Sequence, residues 1–305
     1  MMFINLFLLL WTAFVSASSL AYQQTPGALQ QVTDFGYNPT NIGFYIYVPN
    51  ALVSNPAIVV AVHYCTGSAQ AYYDNSPYKT LAEQYGFIVI YPESPWSGAC
   101  WDVSSKATLT HNGGGDSNAI VNMVSWTVSK YRADTSRVFV TGLSSGAMMT
   151  NVLSATYPDV FKAATLYAGV PAGCFVSDTN QQAAWNTSCA EGQVVHTPAV
   201  WADIVRDMYP GYSGPYPRIQ IYHGGADTGL YPQNYYETCK QWSGVWGYDY
   251  SKPQSTQVDS PASGWTRTVF GPGVQGIFNP EVNHSISIFG DEDMKWFGFT
   301  GVSLW

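Results

Sequence analysis

Charge is what this sequence has least of. Of its 305 residues, 12 are Lys or Arg and 20 are Asp or Glu, so charged side chains make up 10% and the formal charge is −8. An ordinary soluble domain carries about 25%. So few cations leave no electrostatic footprint for a nucleic acid or an anionic membrane surface, and neither is expected as a partner. Long apolar runs are missing too. Beyond an N-terminal stretch from Phe3 to Val15, nothing approaches the roughly 18 apolar residues that a membrane span needs. No C-x-x-C pair occurs among the five cysteines, which argues against a structural zinc site. No metal or cofactor is expected. There is no internal repeat, no Pro/Ser-rich linker and no low-complexity tail, so no appended binding module is expected.

What is present is apolar and aromatic. Hydrophobic residues reach 46% and aromatics 15%, with 22 Tyr and 11 Trp. That excludes disorder and allows one large domain, or two small ones, with ample core. With so little charge, the surface must be covered by Ser, Thr, Asn, Gln, Tyr and Gly, and a Tyr- and Trp-rich surface suits sugars. The run Phe3 to Val15, followed by Ser16, Ala17, Ser18 and Ser19, reads as the core of a signal peptide over residues 1–21, cleaved after Ala17 or Ala21. The mature chain, 22–305, is expected to be a secreted, extracellular, monomeric single domain. Outside the cell, disulfides are the default. Cys174 and Cys189 bracket a short polar loop and are expected to pair, as are Cys65 and Cys100, leaving Cys239 as a buried thiol. Glycosylation sequons occur at Asn186-Thr187-Ser188 and Asn283-His284-Ser285. Asn186 is expected to carry a glycan and Asn283 to remain unmodified.

Short β-rich apolar runs recur at Phe44–Val48, Ala57–His63, Phe87–Tyr91, Val138–Thr141, Ala164–Ala168 and Arg218–His223. Helix-like stretches follow several of them: Tyr78–Tyr85, Ser117–Tyr131, Ser145–Tyr157 and Pro232–Trp242. Continuous apolar strands alternating with helices predict an α/β fold with a mostly parallel central sheet and helices on both faces. Pro171–Pro215 lacks clear periodicity and reads as a long insertion over one edge of the sheet.

The chemistry is carried by one turn. The strand Val138-Phe139-Val140-Thr141 runs into Gly142-Leu143-Ser144-Ser145-Gly146 and then into a helical stretch. This is G-x-S-x-G in the strand–turn–helix context that makes it a nucleophile elbow, with Ser144 exposed on a strained bend. Such a serine needs an acid and then a histidine later in the chain. Asp227 follows the run Ile219-Gln220-Ile221-Tyr222-His223, where a late strand ends, and is the expected acid. Asp203, Asp207, Asp249 and Asp259 are the alternatives, and none follows a clean strand end. His223 precedes the acid and reads as structural. His196 lies in the insertion, so His284, in a late loop, is the expected base. The oxyanion hole would take backbone N–H groups from Ser145 and from the bend after the early strand, with Cys65 favoured over Thr66.

Several windows together resemble the fungal acetylxylan esterases of carbohydrate esterase family 1. They are His63-Tyr64-Cys65-Thr66-Gly67, Ala99-Cys100-Trp101-Asp102, Thr110-His111-Asn112-Gly113-Gly114-Gly115, Ser145-Gly146-Ala147-Met148-Met149-Thr150-Asn151 and Tyr231-Pro232-Gln233-Asn234-Tyr235-Tyr236. The resemblance spans about Leu29 to Phe299. It implies an α/β-hydrolase that removes O-acetyl groups from xylan, so acetylated xylan or a related wall polysaccharide is the expected partner. It maps the family's triad onto Ser144, Asp227 and His284 and implies that Trp185 lies near the acyl or sugar site. One window departs: a Gly-Val-Gly-His-type turn is replaced by Glu281-Val282-Asn283-His284. Feruloyl esterases and polyhydroxyalkanoate depolymerases share the motif set and are the alternatives among esterases. A carbohydrate-binding protein on an inactive scaffold is the non-enzymatic alternative, and the intact triad argues against it.

Overall fold

The computed structural model describes residues 25–300, so the expected signal peptide lies outside the described residues. Ten strands among these residues form one sheet: β1 (Leu29–Val32), β2 (Gly43–Tyr47), β3 (Ile58–Val62), β4 (Ile88–Glu93), β5 (Val138–Leu143), β6 (Ala163–Tyr167), β7 (Arg218–Gly224), β8 (Ser255–Val258), β9 (Thr266–Gly271) and β10 (Val274–Asn279). Their order is β1-β2-β4-β3-β5-β6-β7-β10-β9-β8. The six central strands, β4 to β10 in that order, run parallel, and each flank adds two strands in antiparallel pairing. Eight helices accompany them: α1 (Ala69–Asn75), α2 (Tyr78–Tyr85), α3 (Asp116–Tyr131), α4 (Ser145–Thr156), α5 (Thr187–Ala190), α6 (Pro198–Asp207), α7 (Gln233–Trp246) and α8 (Gly290–Trp296).

The central strands are apolar on both sides because both sides are covered. Ile58, Val60 and Val62 of β3 pack with residues of α3, α4 and α7, while Val59 and Ala61 pack with α1, α2 and α8. This is the architecture of an α/β-hydrolase. The aromatic content goes largely into these two layers rather than onto the surface expected from composition. Trp101, Trp201, Trp242, Tyr72, Tyr78 and Tyr167 are among the largest fully buried side chains.

The insertion differs from expectation. It contains α6, which begins at Thr197-Pro198, a capping residue and a proline suited to a first helical turn. Trp201 and Val205, one turn apart, are buried, and α6 packs against α7 rather than over a sheet edge. The segment before it is closed by the Cys174–Cys189 disulfide, and a second disulfide joins Cys65 to Cys100. Cys239 is a buried thiol whose pKa burial pushes up.

One buried carboxyl group ties α8 to the sheet. Asp293 accepts hydrogen bonds from Tyr78 Oη (2.8 Å), Tyr167 Oη (2.9 Å) and Gln220 Nε2 (3.3 Å). Burial raises its pKa to about 7, against the lowering effect of the tyrosine hydroxyls. The folded chain therefore holds this proton more tightly than the unfolded chain does. The resulting stabilisation is complete below the ordinary carboxyl range and is lost as pH rises through about 7. Asp293→Asn should gain on the wild type between pH 4.5 and pH 8, read as the difference in urea midpoints. A difference that is constant with pH would refute this.

Candidate active site

Ser144 lies between the end of β5 and the first residue of α4, with φ 57° and ψ −121°. A side-chain-bearing residue rarely adopts that backbone. The turn exists because its flanking glycines leave room. A Cβ on Gly142 would lie 2.3 Å from Gly146 O, and one on Gly146 would lie 2.1 Å from Val62 O. The Ser144 N–H donates to Tyr167 O (2.8 Å), and its carbonyl accepts from Met148 N–H (3.0 Å). Its hydroxyl is thus presented at the carboxyl ends of the parallel strands.

The loop after β10 returns across the end of β7. Gly225 N–H donates to Asn279 O (2.7 Å) and Ala226 N–H to Val282 O (3.0 Å). Gly224 permits the approach, since a Cβ there would lie 2.1 Å from Val282 O. His284 is thereby set between the other two expected residues. Its Nε2 is 2.8 Å from Ser144 Oγ, and its Nδ1 is 2.6 Å from Asp227 Oδ2. Neither Glu281 nor Asn283 has a positive φ, so this loop does not require the glycines it lacks.

Asp227 is buried, and its Oδ1 accepts the N–H groups of Gly229 (2.8 Å) and Leu230 (2.9 Å). Burial alone would raise its pKa. The hydrogen bond and charge of His284, with the Leu230 amide and His223, hold it below the ordinary value, so the carboxylate is ionised. The alternative acids Asp203 and Asp249 lie at the surface in ion pairs with Arg206 and Lys252. His196 lies against Trp201 of α6, and His223 is buried with Nε2 2.9 Å from Leu230 O.

On the other side of Ser144, the Cys65–Cys100 disulfide joins two loops. Thr66 N–H is committed to Gly98 O (2.7 Å), which leaves Cys65 as the candidate donor of the pair. A chain of hydrogen bonds holds this region together. Trp101 N–H donates to Ser145 Oγ (2.8 Å), Trp101 Nε1–H donates to His63 O (2.8 Å), and Ser94 N–H donates to His63 Nε2 (3.1 Å). His63 Nδ1 faces Tyr64 O at 2.7 Å, which places the proton on Nδ1. Burial lowers the His63 pKa more than the Tyr64 carbonyl and Glu93 raise it, so the ring is neutral.

Two cavities meet at the serine. One, of about 430 Å³, is lined by Cys65, Ser144, Ser145, Trp185, Leu230 and His284 among others. The other, of about 560 Å³, shares Cys65, Ser144 and His284 and continues past Tyr64, Leu143 and Ile286. A comparable hollow at the opposite ends of the strands, between Tyr216, Trp246 and Trp296, holds none of these groups. Trp185 is 59% exposed and meets Phe175 edge-on at 5.2 Å. Asn186 caps α5, its Oδ1 accepting Cys189 N–H (3.0 Å), whereas Asn283 is exposed.

Sequence reasoning missed the group that seats the Trp185 loop. Buried Asp102 accepts Ala183 N–H (3.0 Å) and both the N–H and hydroxyl of Ser104, whose Oγ in turn accepts Ala184 N–H (2.9 Å). Burial would raise the Asp102 pKa, but the Ser105 hydroxyl and three backbone amides hold it below the ordinary value. The available signal was Asp102-Val103-Ser104-Ser105, an acid followed by two hydroxyls. Among the described residues, no group of three or more His, Cys, Asp or Glu is arranged to hold a metal ion.

The profile of the esterase PHB depolymerase family matches residues 42–229. Acetylxylan esterase A of Aspergillus awamori is 67% identical over 273 residues, covering 90% of this chain and 90% of that one. Acetylxylan esterase A of Emericella nidulans is 65% identical over 276 residues, covering 90% and 91%. The solved structure of the acetyl xylan esterase from Aspergillus awamori superposes with a TM-score of 0.89 at 66% identity, covering 90% of this chain and all of that one.

The close contact at Gly146 yields a direct test. Gly146→Ala should cost at least about 2 kcal/mol in urea unfolding, because the methyl group must displace the Val62 carbonyl. A variant with the wild-type midpoint would show that the turn is not held by this contact.

Proposed function

The chain belongs to the esterase PHB depolymerase family, and we propose that it uses Ser144, His284 and Asp227 to hydrolyse O-acetyl esters of xylan through an acyl-enzyme. It is a carboxylic ester hydrolase acting on acetylxylan, as its relatives at 65–67% identity are named. The observation that carries the residue assignment is the unbroken relay from Ser144 Oγ through the His284 ring to the Asp227 carboxylate, at 2.8 and 2.6 Å.

In this mechanism His284 Nε2 takes the Ser144 proton as the hydroxyl oxygen attacks the acetyl carbonyl. Ionised Asp227 fixes the ring by its Nδ1 and stabilises the imidazolium that forms. The Cys65 and Ser145 N–H groups receive the tetrahedral oxyanion, each contributing roughly 3 kcal/mol by analogy with known oxyanion holes. The imidazolium then gives its proton to the departing sugar oxygen, leaving acetyl on Ser144. His284 next takes a proton from water, the hydroxide adds to the acyl carbon, and acetate leaves as the proton returns to Ser144. Every step uses only these side chains, two amides and water. Trp185, at the cavity mouth, is the proposed sugar contact. The N-terminal apolar run supports secretion, and the sequon at Asn186 supports a glycan beside the site.

A feruloyl esterase is the second reading, favoured by one observation: a cavity of about 430 Å³ exceeds what an acetyl group fills. Acetate release from acetylated xylan should far outpace hydrolysis of methyl ferulate, and the reverse ratio would overturn the acetyl reading. Ser144→Ala should lower kcat by a factor of roughly 10⁴ or more while the fold is retained by circular dichroism. Unchanged ester cleavage would remove Ser144 from the mechanism.

A further inference from the structure

We propose that His223 is a positioning residue for the acid of the triad, holding the Asp227–Leu230 turn in place through its Nε2–H group. The proposal rests on the reading of Ser144, His284 and Asp227 as the reacting groups. His223 lies at the end of β7, four residues before Asp227, and its side chain is 1% exposed. Its Nε2 is 2.9 Å from Leu230 O, a hydrogen bond, and 3.4 Å from Asp227 Oδ2, a longer electrostatic contact. Both neighbours are acceptors, which assigns the ring proton to Nε2. Nδ1 has no hydrogen-bond partner. Leaving a buried polar atom unpaired costs about 1–3 kcal/mol, a cost that an apolar side chain of similar size would avoid. A histidine is therefore a poor choice for packing alone, and its one engaged nitrogen faces the triad's acid.

The turn is closed from two directions. Asp227 Oδ1 takes the amides of Gly229 and Leu230, while the ring of His223 takes the carbonyl of Leu230. Asp227 Oδ2 then faces two N–H groups, that of His284 at 2.6 Å and that of His223 at 3.4 Å. Burial keeps the His223 ring neutral against the raising effects of the Leu230 carbonyl and the Asp227 carboxylate, and the neighbouring His284 acts with burial. A neutral donor fixes the carboxylate without adding a full positive charge. Its N–H dipole also faces the carboxylate's negative charge.

The test compares His223→Leu, His223→Asn and His223→Gln in the full-length enzyme with an aryl acetate as substrate. A Gln side chain can place an N–H near the position of Nε2, and an Asn side chain is too short. His223→Leu and His223→Asn should lose kcat by roughly tenfold or more. The acid limb of their kcat/KM profile should move to higher pH, because Asp227 without the nearby His223 N–H dipole stabilises protonated His284 more strongly. His223→Gln should restore most of the rate and return the limb. Three variants with lowered Tm but an unmoved limb would overturn the proposal, as would a Gln variant as slow as Leu. If His223→Leu fails to fold, the contrast between Gln and Asn decides. Asp227→Asn in the same assay separates the two questions: wild-type activity there would refute the triad assignment itself, whatever the His223 variants do.

Discussion

The first turn of α4 lies against the carbonyls of Val62 and His63, near enough that one methyl group on Gly146 would collide with both. Several features of the site follow from that approach. The chain between β5 and α4 must turn within one residue, so Ser144 takes a backbone conformation that its own side chain disfavours. The end of β3 is brought beside the first amide of α4, and Cys65 with it. His63 is buried under the bend as a neutral ring, and its hydrogen bonds run through Trp101 to the Ser145 hydroxyl. The strain at Ser144 is held by contacts that no longer side chain could make. The second crossing, of the His284 loop over β7, uses the same device at Gly224. Ser144 and His284 are both positioned by glycines, Gly146 in α4 and Gly224 at the end of β7.

The scarcity of surface charge contrasts with the carboxyl groups inside. Asp102 and Asp227 are buried yet held below the ordinary carboxyl range, because backbone amides and hydroxyls or a histidine point at them. Asp116 and Asp293 lack comparable compensation and are pushed up to about 7. The split follows the work each performs. The ionised pair seats the Trp185 loop and orients His284. The raised pair lies where several segments converge: Asp116 accepts from Trp96 Nε1 and Asp102 N–H, and Asp293 ties α2, β6 and β7 to α8.

The parallel strands were legible because burial on both faces leaves an uninterrupted apolar run, as in Ile58–Val62. Of the flanking strands, β2 was legible as the run Phe44–Val48, whereas β1, β8 and β9 were not. Ser255–Val258 is exposed at every position and is a strand by pairing alone; β10 is the central parallel strand that was missed, because it carries Gln275, Asn279 and a glycine pressed against Tyr235 and Cys239. The helix α6 had a readable start at Thr197-Pro198 and an apolar stripe at Trp201 and Val205, which the surrounding loops obscured. At the site, Ser144 was legible from a motif, whereas Asp227 and His284 followed from chain order and elimination. The amides of Gly229 and Leu230 and the carbonyl of Leu230 were not legible, because a backbone group leaves no trace in residue identity. Asp102 ends the window Ala99-Cys100-Trp101-Asp102, but its partner Ala183 is 81 residues away, and Ala184 is held through Ser104, 80 residues away.

Composition alone placed the aromatic richness on the surface, facing sugars. The fold assigns most of it to the core, where the rings fill both layers against the sheet. Among the described residues, the aromatic side chains left well exposed are Tyr37, Trp185, Tyr231 and Tyr236. Trp185 lines the Ser144 cavity, and Tyr231 directly follows Leu230, which lines it too. An exposed aromatic ring next to a cavity is a more specific feature than an aromatic-rich composition, because burial offers no reason for it. Low charge acts in the same direction: few fixed charges accompany the rings and polar groups around Ser144. The composition that first suggested a sugar-binding surface thus explains the core of the protein, and the rings beside the Ser144 cavity are among the few that the core leaves uncovered.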